Sequence, residues 1–347
     1  MAWFTSKNEY ARLGVPANSG RKWNSSQRSR AAQLAVAVSV VLNLYFILSQ
    51  WWTWPAPLDN YQELLDVPPA SKENAIVTTL YTDSFAPAVA TLGHSLRKTN
   101  TSASLIVLYL PDRISEEALC IATSSGFVAQ QVSRIPPPRN GKGVHRHFLD
   151  QYTKLTLWTL DKIGIKSLVY LDADTLVRKN MDELFLSPWD FAAVPDIYLD
   201  SRGFTLGFNA GVMFVRPSSE VFQNMVDQIS TAHYRSEDAE QSFLNHYYAA
   251  EAVRLPLAYN GNLAIKKRSP ELWQGMLPEL RLIHYTMVKP FLGQDYAKVS
   301  VKDLDKHVEK MTKKRGGYYK REVQWWGEEW KETRETYQKE LSLCNVF

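Results

Sequence analysis

From Ala31 to Leu58 the chain carries no charged residue, and the run AAQLAVAVSVVLNLYFILSQWW fills most of that window. About 20 apolar residues suffice to cross a bilayer as a helix, and a helix satisfies its backbone polar groups within one segment. Gln33, Ser39 and Asn43 make this a moderately hydrophobic span. Trp51, Trp52 and Trp54 follow where the chain would leave the hydrocarbon, as an aromatic belt requires. Before the span stand Lys7, Arg12, Arg21, Lys22, Arg28 and Arg30 against one acid, Glu9. The positive-inside rule then keeps the N-terminal end cytosolic and sends the remainder to the lumen or exterior. A signal peptide has a similar apolar stretch, but no small-residue cleavage site follows Leu48. A buried core helix would show polar residues at helical spacing, which this run lacks. The expected layout is a basic tail at 1–30, a retained signal anchor at 31–52 and a stem at 53–74 containing Pro55, Pro57, Pro68 and Pro69.

The basic tail accounts for the chain's charge. Residues 1–30 sum to +5 and the whole chain to +4, so residues 31–347 sum to −1. No bulk basicity remains to suggest a nucleic-acid partner. With 45% hydrophobic and 22% charged residues the chain has the composition of a globular protein. Cys120 and Cys344 are the two cysteines, which excludes a disulfide framework and leaves room for one long-range bridge. Asn100, in NTS, is a glycosylation acceptor sequence on the expected lumenal side, whereas Asn24, in NSS, falls on the cytosolic side.

Beyond the stem, strand-like and helix-like segments alternate. Short apolar runs at 75–79, 105–110, 168–171, 208–215 and 282–285 read as strands. Segments 89–98, 116–125, 152–162, 220–229 and 240–248 read as helices, and the Pro-rich loop IPPPRNGKG spans 135–143. Such alternation predicts an α/β fold with a mainly parallel sheet covered on both faces. Ligands bind such sheets outside the carboxyl ends of their strands. Asp172 and Asp174, in LVYLDADTLV, stand at that position after a buried strand. In extended chain, residues i and i+2 point to one side, and two close anions need a neutralising cation. Oxygen ligands suit Mg²⁺ or Mn²⁺, which commonly bridge to substrate phosphates. A second such pair, Asp303 and Asp305 in VKDLDKHVEK, lacks the buried strand and reads as a solvated helix face.

The surrounding sequence is similar to the glycogenin-like glycosyltransferases, family 8 of the retaining nucleotide-sugar transferases. TKLTLWTLDKIGIKSLVYLDADTLVRKNMDELF (153–185) resembles that family's core signature, and FNAGVMFVRPS, AEQSFLN, LPLAYN and LIHYTMVKPF follow in family order. IVTTLYTDSFAPAVATLGHSL (76–96) resembles its opening nucleotide-binding strand and helix. The resemblance implies a GT-A fold with a Rossmann-like sheet over 75–295, and a charged, Trp-containing helical extension at 296–347 lies outside it. It also implies a UDP-sugar donor, a glycan or glycoprotein acceptor, and Mn²⁺ (or Mg²⁺) held by Asp172, Asp174 and His284. Thr79, Tyr81, Thr82 and Phe85 would surround the uracil and ribose, Lys289 would face the diphosphate, and Lys154 would lie near the phosphates or the sugar. Glu240 and Gln241 stand where the family usually has Asp-Gln beside the anomeric carbon. Asn209 resembles a donor-sugar contact and Asp196 an acceptor-side position. Of the candidates for the family's upstream phosphate-binding Arg, Arg146 is the choice within HRHFLD. His284 and Lys289 are five residues apart rather than the six frequent in the family, with no Gly between them. A membrane anchor favours the Golgi or another secretory membrane, with a homodimer left open.

In the extension, Trp326, Trp330, Tyr337 and Leu341 fall on one helix face, which predicts packing against the catalytic domain. Two rival readings share the Asp pair. Haloacid dehalogenase-type phosphohydrolases need Thr or Val two residues after the second Asp, where Leu176 stands, and a later acidic motif that is missing. A catalytically inactive sugar-binding relative would be marked by loss of a metal ligand, and all three are present.

Overall fold

The computed structural model describes residues 24–51, 71–291 and 304–344. The basic tail up to residue 23, Trp52, Trp54, most of the stem and the expected boundary near 295 lie outside the described residues. The chain forms two compact units, Met1–Glu63 and Leu64–Phe347.

In the first unit, α1 (Ser25–Trp51) contains the apolar span. Its first turn is closed by a reciprocal cap: Gln27 N–H donates to Asn24 Oδ1 at 3.1 Å, and Asn24 N–H donates to Gln27 Oε1 at 3.2 Å. The polar residues within the span find partners inside the helix. Asn43 Nδ2 donates to the Ser39 carbonyl at 2.7 Å, and Ser49 Oγ to the Phe46 carbonyl at 2.9 Å. Each donor so satisfied lowers the cost of placing it in hydrocarbon. Ser25–Ser49 is long and apolar enough to cross a membrane, with a mean hydropathy of 2.1 in its most apolar window and none of that window buried.

The second unit is built on a seven-stranded sheet in the order β3-β2-β1-β4-β7-β6-β8. The strands are β1 (Asn74–Leu80), β2 (Ser104–Tyr109), β3 (Val128–Gln131), β4 (Ser167–Leu171), β6 (Phe191–Ile197), β7 (Phe204–Val215) and β8 (Val253–Arg254). A smaller sheet pairs β5 (Thr175–Val177) with β10 (Leu282–His284) and β10 with β9 (Gly261–Asn262). β1 pairs in parallel with β2 and β4, β2 with β3, and β6 with β8, whereas β7 runs antiparallel to both β4 and β6. The sheet is therefore mostly parallel, with one reversed strand. The two strand directions meet at β4 and β7, and Asp172 follows β4.

Side chains alternate across this sheet between two cores. Ile76, Leu80, Leu105, Val107, Val169 and Leu171 belong to one; Ala75, Val77, Ile106, Leu108, Leu168 and Tyr170 belong to the other. Both sets are nearly inaccessible to water, as the near-continuous apolar strands require. The first face is covered by α2 (Ala86–Lys98) and α3 (Glu116–Thr123). On the second lie α4 (Ser219–Gln228), α5 (Ala239–Tyr247) and a 3-10 helix at Gln151–Ile163, which ends at Gly164 with φ 86°. The segment expected as an ordinary helix is thus wound more tightly, and left-handed backbone at its end suits glycine. α6 (Leu263–Arg268) and α7 (Pro270–Met276) complete this part.

The extension forms α8 (Leu304–Lys313), α9 (Lys320–Thr336) and α10 (Gln338–Ser342). Trp326, Trp330 and Leu341 are at most 1% exposed and join the core under α2 and α3. The expected packing face is present, with Tyr337 at its half-buried edge. Behind it a line of aromatic contacts runs from Phe85 to Phe291 (4.9 Å between centroids), on to Trp326 (5.7 Å) and Trp330 (6.2 Å). Cys120 on α3 and Cys344 are bridged across a sequence separation of 224.

Replacing Cys344 by Ser removes the constraint on this long loop, and the expected loss of stability is about 2–5 kcal/mol. Chemical denaturation should show the same loss for Cys120→Ser and no further loss in the double variant; additive losses would contradict the bridge.

Candidate active site

β1 and β4 deliver their carboxyl ends to one pocket of about 410 Å³. Thr79, Tyr81, Thr82 and Phe85 line one part, and Asp172, Asp174, Lys154, Asn209, Glu240, Gln241, His284 and Lys289 line the rest. Of the residues singled out in the sequence, Arg146 and Asp196 do not line it. Arg146 is exposed on a short 3-10 turn, and its neighbours His147 and Phe148 reach the pocket instead. Asp196 is buried behind the pocket, accepting from Asn209 Nδ2 at 3.3 Å and Gln241 Nε2 at 2.8 Å.

The two aspartates leave β4 on a turn rather than in extended chain. Thr175 donates to the Asp172 carbonyl through both its N–H (3.1 Å) and its hydroxyl (2.8 Å), which closes the turn. Their carboxylates still converge. Asp172, Asp174 and His284 each present a ligand atom, all within 4.8 Å of one another. His284 Nε2 is 3.3 Å from Asp174 Oδ1 and 3.7 Å from Asp172 Oδ2. Its Nδ1 lies 3.1 Å from Asn260 Oδ1, while Asn260 Nδ2 donates to Asn209 Oδ1 at 3.0 Å. With Asn260 oriented in this way, Nδ1 is the donor, and Nε2 is the ring atom turned toward the carboxylates. A cation bound by all three satisfies that arrangement. Gly211 leaves the space open: a Cβ there would come within 2.4 Å of His284 Cε1 and 2.8 Å of Asp172 Oδ2. The residues fit a divalent metal, and the donor set of two carboxylates and an imidazole suits Mn²⁺.

Charge in the pocket is balanced by two lysines. Lys154 is 2% exposed; its Nζ donates to Glu240 Oε1 at 2.7 Å and to the Ala210 carbonyl at 3.3 Å, and lies 3.2 Å from Asp172 Oδ1. Burial works against its charge, but Asp172 and Glu240 outweigh burial and hold its pKa above the usual value. Burial pushes the Glu240 carboxyl up, and Lys154 offsets part of that rise. Lys289 pairs with Asp174. Burial again opposes the charge, yet Lys289 and His284 hold the Asp174 carboxyl well below the usual range.

Several contributors escaped the sequence reading. The buried Tyr170 hydroxyl donates to Asp172 Oδ1 at 2.6 Å and is 3.0 Å from Thr79 Oγ1, so Thr79 is the donor to Tyr170. Tyr170 precedes Asp172 by two positions, and that spacing was the available signal. Asn260 stands in LPLAYN, a matched motif in which no residue had been singled out. Ala239, buried, adopts φ 47° and ψ −127° immediately before Glu240, a conformation that costs an alanine on the order of 1–3 kcal/mol.

The profile of Glycosyl transferase family 8 matches residues 76–293. Galactinol synthase 1 of Ajuga reptans is 29% identical over 259 residues, covering 65% of this chain and 76% of that protein. Inositol phosphorylceramide glucuronosyltransferase 1 of Arabidopsis thaliana is 30% identical over 247 residues, covering 64% of this chain but 43% of that protein. Glycogenin of Neurospora crassa is 26% identical over 219 residues, covering 61% and 30%. Among solved structures, the apo form of the glycosyltransferase GlyE from Streptococcus pneumoniae superposes with a TM-score of 0.50 at 18% identity. That match covers 78% of this chain and 64% of GlyE, a little under two thirds of its length, and at this identity it shows the fold alone.

Replacing Lys154 by Met leaves Asp172 and Glu240 without their shared cation, with an expected loss of about 3–5 kcal/mol at pH 7. Glu240 would then titrate higher in the folded than in the unfolded chain, so the folded state binds more protons and the deficit shrinks as pH falls through that interval. Denaturation curves at pH 7 and pH 5 check both size and sign.

Proposed function

Because the chain belongs to glycosyl transferase family 8, we propose that it is a metal-dependent, retaining transferase that moves a hexosyl or related sugar from a UDP-sugar to a glycan or protein acceptor. The observation that carries this reading is the convergence of Asp172, Asp174 and His284 beside two lysines in a pocket at the strand ends. Thr79, Tyr81, Thr82 and Phe85 bind the uridine, while Lys289 and Lys154 carry the negative charge that develops on departing UDP. A Mn²⁺ or Mg²⁺ ion, when bound by Asp172, Asp174 and His284, supplies further neutralisation of the diphosphate. The bond between the anomeric carbon and the phosphate oxygen breaks with its electron pair leaving on UDP. The acceptor oxygen bonds to the same face of the sugar, and its proton passes to a phosphate oxygen of UDP. Glu240 stabilises the positive charge on the sugar ring, with Gln241 and Asn209 positioning it and Asp196 bracing both amides from behind toward the acceptor side.

In the same reading, α1 anchors the chain as a single-pass type II protein, with the catalytic domain at 75–295 and its extension in the lumen of the Golgi or a related compartment. The relatives are named for different products and substrates, so the donor sugar is left to experiment.

Full-length protein in detergent should release UDP from one of a panel of UDP-sugars, given Mn²⁺ and an acceptor mixture. Asp174→Ala should lower the rate at least ~100-fold, and Glu240→Gln should lower kcat by a similar factor with little change in KM. Tyr170→Phe should weaken Mn²⁺ binding by about 10–100-fold, measured by calorimetry. Folded protein that neither turns over any UDP-sugar nor binds UDP with Mn²⁺ would rule the reading out.

A further inference from the structure

Where α9 packs on α2, an otherwise apolar contact ends in a polar cluster on the side of the sheet opposite α5. His94 and Lys98, one turn apart on α2, face Glu329 and Glu332 on α9. His94 is 4% exposed, and neither of its ring nitrogens makes a hydrogen bond; Glu329 Oε1 is likewise buried without one. Buried polar atoms without partners are destabilising, and three such atoms at one contact call for a ligand that satisfies them.

The geometry supplies an answer. His94 Nε2 lies 3.6 Å from Glu329 Oε1 and 3.6 Å from Glu332 Oε1, too far for a hydrogen bond. Those separations are close to the edge of a tetrahedron with bonds of about 2.0–2.1 Å to its centre. The three residues can each offer a ligand atom, all within 4.8 Å of one another. Lys98 explains how they come to be aimed inward. Its Nζ donates to Glu329 Oε2 at 3.1 Å and Glu332 Oε2 at 2.7 Å, which turns both Oε1 atoms toward the imidazole. The ring is held from its edge by Tyr337, 5.6 Å between centroids. One lysine offsets one of the two carboxylate charges, so one carboxylate charge and two acceptor oxygens are left facing the imidazole.

We propose that His94, Glu329 and Glu332 bind a second divalent transition-metal ion, of which Zn²⁺ is the best match, and that this ion ties α9 to α2. One imidazole and two carboxylates in a largely buried, four-coordinate setting suit Zn²⁺. The fourth position falls to water, reached past the Glu332 side chain, which is 49% exposed. This site is independent of the active-site reading, since it shares no residue with the pocket. It gives the extension a bond to the catalytic fold that its apolar face alone does not provide.

The test is metal titration of chelator-stripped, full-length protein in detergent, using Co²⁺ as a spectroscopic stand-in and Zn²⁺ by calorimetry. In an Asp174→Ala background, which weakens the pocket site, one ion should still bind with the strong visible absorption of four-coordinate Co²⁺. His94→Gln should abolish that absorption, and Glu332→Gln, a change at the half-exposed ligand that leaves packing intact, should weaken Zn²⁺ at least tenfold. Zn²⁺ should raise the melting temperature of the Asp174→Ala protein and leave the His94→Gln double variant unmoved. Absence of binding in the Asp174→Ala protein overturns the proposal. A Co²⁺ spectrum unchanged by both His94→Gln and Glu332→Gln overturns it equally.

Discussion

Everything in the pocket depends on holding negative charge together out of water. Asp172, Asp174 and Glu240 are gathered at the ends of the strands, and Asp196 lies just behind. Without compensation such a group would repel itself apart or take up protons. The compensation is local. Lys154 serves Glu240 and Asp172, Lys289 serves Asp174, and the amides of Asn209 and Gln241 serve Asp196. The 3-10 helix brings Lys154 under the sheet edge, and α5 presents Glu240 through a strained alanine. Much of the architecture on that face can be read as scaffolding for a few ion pairs.

The parts of this arrangement legible in the sequence were those carried by short-range patterns. Continuous apolar runs located β1, β2 and β4, because strands buried on both faces need them. The aspartates after β4 were legible for the same reason. β6 and the reversed direction of β7 were not, since strand direction is set by distant pairing partners and leaves no mark in a local window. Arg146 shows a further limit: nothing local in HRHFLD says which side chains its turn aims inward, and His147 and Phe148 line the pocket while Arg146 does not. Tyr170 read as one more apolar strand residue, although its hydroxyl orients a site carboxylate.

The extension enters the same economy of contacts from behind. Its tryptophans back Phe291, which in turn backs Phe85 on the pocket wall. His307 on α8 donates from Nε2 to the Lys289 carbonyl at 3.2 Å. One segment therefore supports both the proposed uridine end and Lys289, the lysine proposed to face the diphosphate, although its sequence carries none of the family motifs.

The Cys120–Cys344 bridge sets an order of events for a chain made from its N-terminus onward. Cys120 must remain an unpaired thiol while 224 further residues are added, which at a typical elongation rate takes roughly 10–45 s. Throughout that time the strands and α3 have to collapse around a thiol whose partner does not yet exist. The bridge can therefore record that the sheet and the extension have met, but it cannot guide them there.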